Sequence, residues 1–357
     1  MTVSASTAGA ASSQWLFPLS ALHVTPSHTT SAIPLERELY DRSRGVEFLF
    51  RLGVSLGLPS SAMYTAATWF HRFYMRYSME DYHRQDVAAA CIFLATKTEE
   101  CGRKLRDVAK IACAKARKVD PKEIADDSRE VEEAQTNILL TEEVLLEALC
   151  FDFVVDPPQA ELVDLLDARE QPADLEDYAW SIANDSYRTP LCLLFPPNII
   201  ATTCFVLAQH LVEGPNPLTP LSARISSPAP SASLPTPPSQ NMVASDNARF
   251  AIEFFRFNEM ELASVGEALG ILLEFYAAQD IHASADYLSP IAEISAPNGI
   301  RKDQMYRPFV QFMQPSGQSQ VNTALDTRVP FESDGNSPSK PPGGWKPISD
   351  NPPVHRA

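Results

Sequence analysis

Between residues 36 and 279 apolar side chains recur every three or four positions, and nowhere do apolar and polar residues alternate with a period of two. A strand face needs the second pattern and a helix face the first, so the chain is confined to an all-α fold. Val46, Leu49, Phe50 and Gly53 mark a first helix beginning near Glu36, which Gly57 and Pro59 punctuate. Ser60 or Ser61 is placed to cap a second, on which Ala62, Ala66, Trp69, Phe70, Phe73 and Tyr77 form one stripe. A third covers 84–100. Its Val87, Ala90, Cys91 and Leu94 keep the period, and the small Ala88, Ala89, Ala90 and Ala95 let neighbours approach from every side, which predicts a central position. Gly102 breaks it, a basic helix follows over 103–118, and after an acidic loop a fifth runs over 131–150 with Ile138, Leu145 and Leu149 on one face. The pattern then repeats over 159–166, 175–187, 196–211, 247–257 and 259–279, which reads as an internal duplication.

Proline marks what lies between and beyond these helices. The chain has 357 residues, enough for two domains of about 150 residues each, and carries 30 prolines against 13 glycines. Eight of the prolines fall within 213–240 and eleven within 281–357. Neither stretch can continue a helix, so both are expected to be disordered. The expected organisation is a flexible arm over 1–34, with Trp15, Leu16 and Phe17 as its anchor, then a five-helix unit over 35–155. A second five-helix unit covers 156–280, interrupted by a disordered Pro-rich insertion over 213–245, and a disordered tail fills 281–357.

Composition and motifs exclude several classes of function. A formal charge of -16 opposes the counterion release that drives nucleic-acid binding, and it opposes docking on an anionic membrane. The most apolar stretch, 191–208, contains Pro196, Pro197, Asn198, Thr202 and Thr203 and is too polar to span a bilayer. The N-terminal residues lack the basic start and apolar core of a secretory signal, which predicts a reducing compartment. Cysteines at 91, 101, 113, 150, 192 and 204 include no C-x-x-C pair and read as ordinary thiols. No phosphate-binding glycine motif, zinc-protease motif or nucleophile elbow is present, and the seven histidines form no ligand cluster. His71, between Phe70 and Arg72, reads as a hydrogen-bonded structural histidine. Catalytic, cofactor-binding and metal-binding residues are therefore all expected to be none.

Two charges stand where charge is costly. Lys97 follows Leu94 by three in the apolar row of the third helix, and Glu142 falls between Ile138 and Leu145 in that of the fifth. One reading is an edge lysine with its head in solvent and a glutamate at a helix margin. The other is a pair directed at a partner.

The runs Phe70-His71-Arg72-Phe73-Tyr74-Met75, Ala88 to Glu100 (AAACIFLATKTEE) and Leu145 to Phe153 (LLEALCFDF) resemble the cyclin box, in particular the transcriptional cyclins of the K, T and L type and related fungal subunits. Ala183-Asn184-Asp185-Ser186, Thr189, Leu191-Cys192-Leu193 and Pro197-Asn198-Ile199-Ile200-Ala201 are similar to the second box of that branch. The resemblance implies tandem five-helix cyclin boxes, the first gripping the C-helix of a cyclin-dependent kinase. It implies that Lys97 and Glu142 contact each other and the kinase, and it places Leu94, Thr98, Leu146, Phe151 and Phe153 toward the same partner. For Leu94 a core position is the competing reading.

By the same resemblance the chain is a regulatory subunit rather than an enzyme, forming a heterodimer whose kinase phosphorylates the RNA polymerase II C-terminal domain and promotes elongation. ATP and magnesium would belong to the kinase, and residence would be nuclear. A splicing-coupled cyclin of the L type and a general transcription factor of the TFIIB type are the alternatives; the first lacks its arginine-serine tail here, and the charge opposes the second. Ser43-Arg44-Gly45-Val46-Glu47-Phe48 stands where cell-cycle cyclins carry a Met-Arg-Ala-Ile-Leu docking patch, which puts substrate recognition by that groove in doubt. The basic helix reads either as a dock for an acidic or phosphorylated partner or as a solvated face balanced by the acidic loop after it. Ser-Pro and Thr-Pro pairs at Ser227, Thr236, Ser289 and Ser337 are candidate phosphorylation sites.

Overall fold

A computed structural model describes residues 12–213, 247–279 and 304–313. Among the described residues there is no strand, and ten helices of nine residues or more fall into two sets of five. The first set is α1 (Leu35–Ser55), α2 (Ser60–Phe73), α3 (Arg84–Thr98), α4 (Leu105–Arg117) and α5 (Arg129–Ala148). The second is α6 (Pro158–Asp167), α7 (Ala173–Ser186), α8 (Pro197–Glu213), α9 (Asn247–Phe255) and α10 (Glu259–Ala278).

Each set is organised around its third helix. α3 packs against α1, α2, α4 and α5, and α8 packs against α6, α7, α9 and α10. Every residue of α3 from Val87 to Thr96 is buried, as the alanine-rich sequence predicts. Small side chains allow the axes to approach closely, and the enclosed helix then buries apolar surface on all sides. Proline supplies the residue before several helices. Pro34, Pro59, Pro157 and Pro172 precede α1, α2, α6 and α7 in extended conformation. Pro59 rather than Ser60 or Ser61 is thus the cap of α2, and no side-chain cap bond forms there. The third helix stops at Thr98, ahead of Gly102, through a left-handed Glu100 (φ 52°). Tyr77 lies beyond α2 but stacks on Phe73 at 5.0 Å, so the stripe continues through the turn.

The two cores divide the chain differently from the expected boundaries. The first core is built from residues 46–149 together with Tyr187. The second takes Leu22, Leu35, Leu39 and Tyr40 from the N-terminal side, so the first turns of α1 belong to it. Residues 1–11 of the expected arm lie outside the described residues. The remainder is packed: Trp15, Leu22, Thr25 and Ser27 are buried, because the apolar groups that looked like a lone anchor find both boxes within reach. Of the expected tail, 304–313 returns to the second core. Met305, Tyr306 and Phe309 are buried, and the Met305 amide donates to Glu274 at 2.7 Å. Of the expected insertion over 213–245, Glu213 closes α8 and 214–245 lie outside the described residues, as do the rest of the tail and the four Ser-Pro and Thr-Pro pairs.

A buried polar chain joins the arm and the two boxes. The Thr25 hydroxyl donates to Glu38 at 2.6 Å, Glu38 pairs with Arg42 at 2.7 Å, and both charged side chains are at most 1% exposed. Arg42 donates to the His71 carbonyl at 2.9 Å, and the His71 ring meets the Tyr187 carbonyl of the second box at 2.8 Å. A carbonyl can only accept, so Nε2 carries the ring proton; Nδ1 faces the Arg42 guanidinium at 3.4 Å and is left as the acceptor. Beside this chain Tyr64 stacks on Tyr187 at 5.0 Å and donates to Asn184 at 2.6 Å.

Burial first, and the Arg42 charge second, push the His71 imidazole down from 6.5 to about 3. Above pH 6.5 the ring is neutral in both folded and unfolded chains, and its full contribution to stability is present. Below that, the unfolded chain takes up a proton that the folded chain refuses, so stability falls by about 1.4 kcal/mol per pH unit down to the folded value. Denaturant midpoints measured from pH 7 to pH 4 should show this slope, and His71→Gln should make it shallower.

Candidate functional site

The last turn of α3 and the body of α5 meet at the surface of the first box. The ammonium of Lys97, near the end of α3, donates to both carboxylate oxygens of Glu142 on α5, at 2.6 and 2.8 Å. It also lies 4.1 Å from the centre of the Phe93 ring. The Glu142 side chain is 9% exposed and that of Lys97 48% exposed, so the carboxylate is held from below while the lysine faces outward. An ammonium has three protons, and two are used here. With one partner half exposed, the pair contributes at most about 1 kcal/mol to the free fold.

The other expected site residues surround this pair unequally. Thr98 is exposed, and its hydroxyl turns back to the carbonyls of Leu94 and Ala95 at 3.5 and 3.3 Å. Leu94 is 5% exposed and belongs to the first core, so it supports the surface from beneath instead of forming it. Leu146 is half-buried at the edge of that core. Phe151 is 65% exposed, and Phe153 is half-buried on Trp69, ring centres 5.8 Å apart.

Three residues that sequence reasoning missed extend the apolar surface: Leu139, Leu140 and Val154 are 48%, 58% and 57% exposed. The signal for Leu139 was available, since it precedes Glu142 by three and Leu146 by seven and so shares their face of α5. It was masked by the neighbouring Ile138, which is buried.

The backbone that presents Phe151 is itself unusual. Cys150 and Phe151 both adopt left-handed conformations, with φ of 52° and 56°. A helix end accommodates one such residue, usually glycine, and each side chain held there costs about 1–2 kcal/mol. Two in succession lift a large ring off the helix end and into solvent.

The basic helix α4 resolves in favour of the balanced face. Arg106, Lys110 and Arg117 pair with Asp127, Asp126 and Glu130 of the acidic loop and the start of α5. Among the described residues no group of three histidine, cysteine or acidic side chains is placed to hold a metal ion.

The comparisons with known proteins agree with this fold. The family model for the cyclin N-terminal domain matches residues 22–154, which contain all of α1 to α5. Cyclin pch1 of Schizosaccharomyces pombe is 43% identical over 205 residues, covering 56% of this chain and 59% of that protein. Human cyclin K is 32% identical over 203 residues, covering 56% of this chain and 34% of that protein. The match thus spans less than two thirds of the length of either relative. A chain in the crystal structure of the yeast RNA polymerase II CTD kinase CTDK-1 complex superposes with a TM-score of 0.52 at 19% identity, covering 73% of each chain, which is a likeness of fold.

Phe151→Gly removes both the exposed ring and the conformational penalty. It should leave the denaturation midpoint of the free chain unchanged or slightly raised, whereas an equal loss of buried aromatic surface would cost about 3–5 kcal/mol.

Residues 22–154 thus match the cyclin N-terminal domain, and the chain is similar to cyclin pch1 and to cyclin K over little more than half of its length.

Proposed function

We propose that this chain is the regulatory subunit of a cyclin-dependent kinase that acts on the RNA polymerase II C-terminal domain, and that it promotes transcription elongation in the nucleus. The observation that carries the reading is the Lys97–Glu142 pair at the junction of α3 and α5. It is a charge pair with a spare donor, and Leu139, exposed, lies three residues before Glu142 on the same face of α5. A charged hydrogen-bonding group held at a surface fixes the register and orientation of whatever docks on it. The cyclin K likeness and the fold shared with a chain of a CTD kinase complex support the choice of kinase and substrate class.

The mechanism is allosteric. A protein kinase needs its C-helix glutamate drawn to the β3 lysine before phosphates and magnesium are correctly held. A partner that binds only the C-helix-in arrangement shifts the kinase toward it by the difference in affinity for the two states. Leu146, Phe151 and Phe153 supply apolar contact, Thr98 and Lys97 polar contact, and Glu142 fixes the lysine. Nucleotide and metal are then bound by the kinase, and no cofactor is assigned to this chain.

Replacing Lys97 and Glu142 together by alanine should abolish co-purification of a cyclin-dependent kinase and of phosphorylation activity toward a C-terminal-repeat peptide. The circular dichroism of the helices should be unchanged. Full kinase binding by the double variant, or capture of promoter DNA with no kinase by the wild-type chain, would overturn the reading.

A further inference from the structure

Although 137 positions separate it from Asp152, Trp15 lies against the loop that follows α5. Its indole N–H donates to Asp152 Oδ2 at 2.9 Å, and the Gln14 amide donates to the same oxygen. The other carboxylate oxygen, Oδ1, accepts the Val154 amide at 3.2 Å. The Trp15 ring is 5% exposed, with the Arg72 guanidinium 4.8 Å and that of Arg76 5.9 Å from its centre. Arg72 also donates to the Val154 carbonyl at 3.0 Å. The Phe17 amide bonds the Leu193 carbonyl at 2.7 Å, which ties this stretch of the arm to the second box. Residues 152 and 154 are therefore held by Trp15 and by the Arg72 that lies over its ring.

The grip falls where the chain most needs it. Phe151, directly before Asp152, is left-handed and two-thirds exposed, with the Phe153 ring edge-on and its centre 6.4 Å away. Without an external restraint a short loop relaxes toward unstrained backbone. Asp152 behaves as a restrained group: burial raises its pKa, but the donors Trp15, Val154 and Gln14, with Arg72 nearby, more than offset this and leave the carboxyl below the usual aspartate range.

Resting on the kinase-binding reading above, we infer that Trp15 and Asp152 are positioning residues for partner binding. The N-terminal arm, through the Trp15–Asp152 hydrogen bond, holds the loop after α5 in the conformation that presents Phe151 to the kinase. The partner is thus recognised by a surface that two separated parts of the chain assemble.

The test uses the full chain and the cyclin-dependent kinase that co-purifies with it. Trp15→Ala and Asp152→Ala should each weaken kinase binding at least tenfold, while Asp152→Asn, whose amide oxygen still accepts from the indole, should recover most of the loss. Combining Trp15→Ala with Phe151→Ala should be no worse than Phe151→Ala alone, since both act through one ring. Additive losses, or wild-type affinity in Trp15→Ala, would overturn the inference. Should Trp15→Ala fail to fold, Asp152→Ala combined with Phe151→Ala makes the same comparison. Hydrogen exchange on the free chain separates this idea from the kinase reading. Asp152→Ala should speed exchange of the Val154 amide at least tenfold with α3 unaffected, whether or not any kinase binds, and unchanged exchange would also overturn it.

Discussion

A single buried charge, Arg42, organises the molecule. Its guanidinium is wholly enclosed and is satisfied by Glu38 in its own helix and by the backbone and ring of His71 in the next. Breaking one partner of such a pair costs about 3–5 kcal/mol, because the other charge is left without water or counter-charge. That asymmetry makes it a device for specificity: only one arrangement of the arm, α1, α2 and the second box satisfies every member at once. Thr25 reaches it from the arm and Tyr187 through His71. The angle between the boxes is therefore set by hydrogen bonds with fixed directions, and the aromatic stack of Tyr64 on Tyr187 fills the space beside them.

From that junction the proposed partner surface follows by rigid steps. α2 carries His71 at the junction and Arg72 next to it, and Arg72 reaches the Val154 carbonyl on the opposite side. The same short segment thus fixes the second box and supports the loop beneath Phe153. α3, enclosed on all sides, delivers Lys97 to the surface at its last turn, where the helix has just run out of alanines and neighbours. The charged pair can form there because the lysine has left the core while the glutamate is still at its edge.

Much of the helical architecture was legible in the sequence because helix periodicity is local. All ten helices were anticipated, and even the central position of α3 followed from Ala88, Ala89, Ala90 and Ala95. The misread parts are those whose structure depends on distant residues. Trp15 looked like an anchor without a place to attach, since Asp152 is 137 positions away. Met305, Tyr306 and Phe309 sit in a stretch without period, and the surface they cover is made by distant residues, Phe275 of α10 and Tyr40 of α1 among them. At the site, Lys97 and Glu142 were legible as charges out of place, but that they pair came from family resemblance. The exposed Leu139 and Leu140 were not found, because an apolar residue next to a buried one reads as core until the neighbouring helix is known.

The order in which the two cores close has a consequence for synthesis. Apart from Tyr187, the first core is complete once residue 149 has emerged, whereas the second waits for Phe309. At roughly 5–20 residues per second on the ribosome, that leaves an interval of roughly 8–30 s. During it the first box can stand folded with its junction face bare and Arg42 already paired within its own helix. A nascent chain in this condition exposes Phe50, Tyr64 and the bonding edge of His71 to its surroundings, so the interval is when chaperone engagement or mispairing with a sister chain would compete with correct closure.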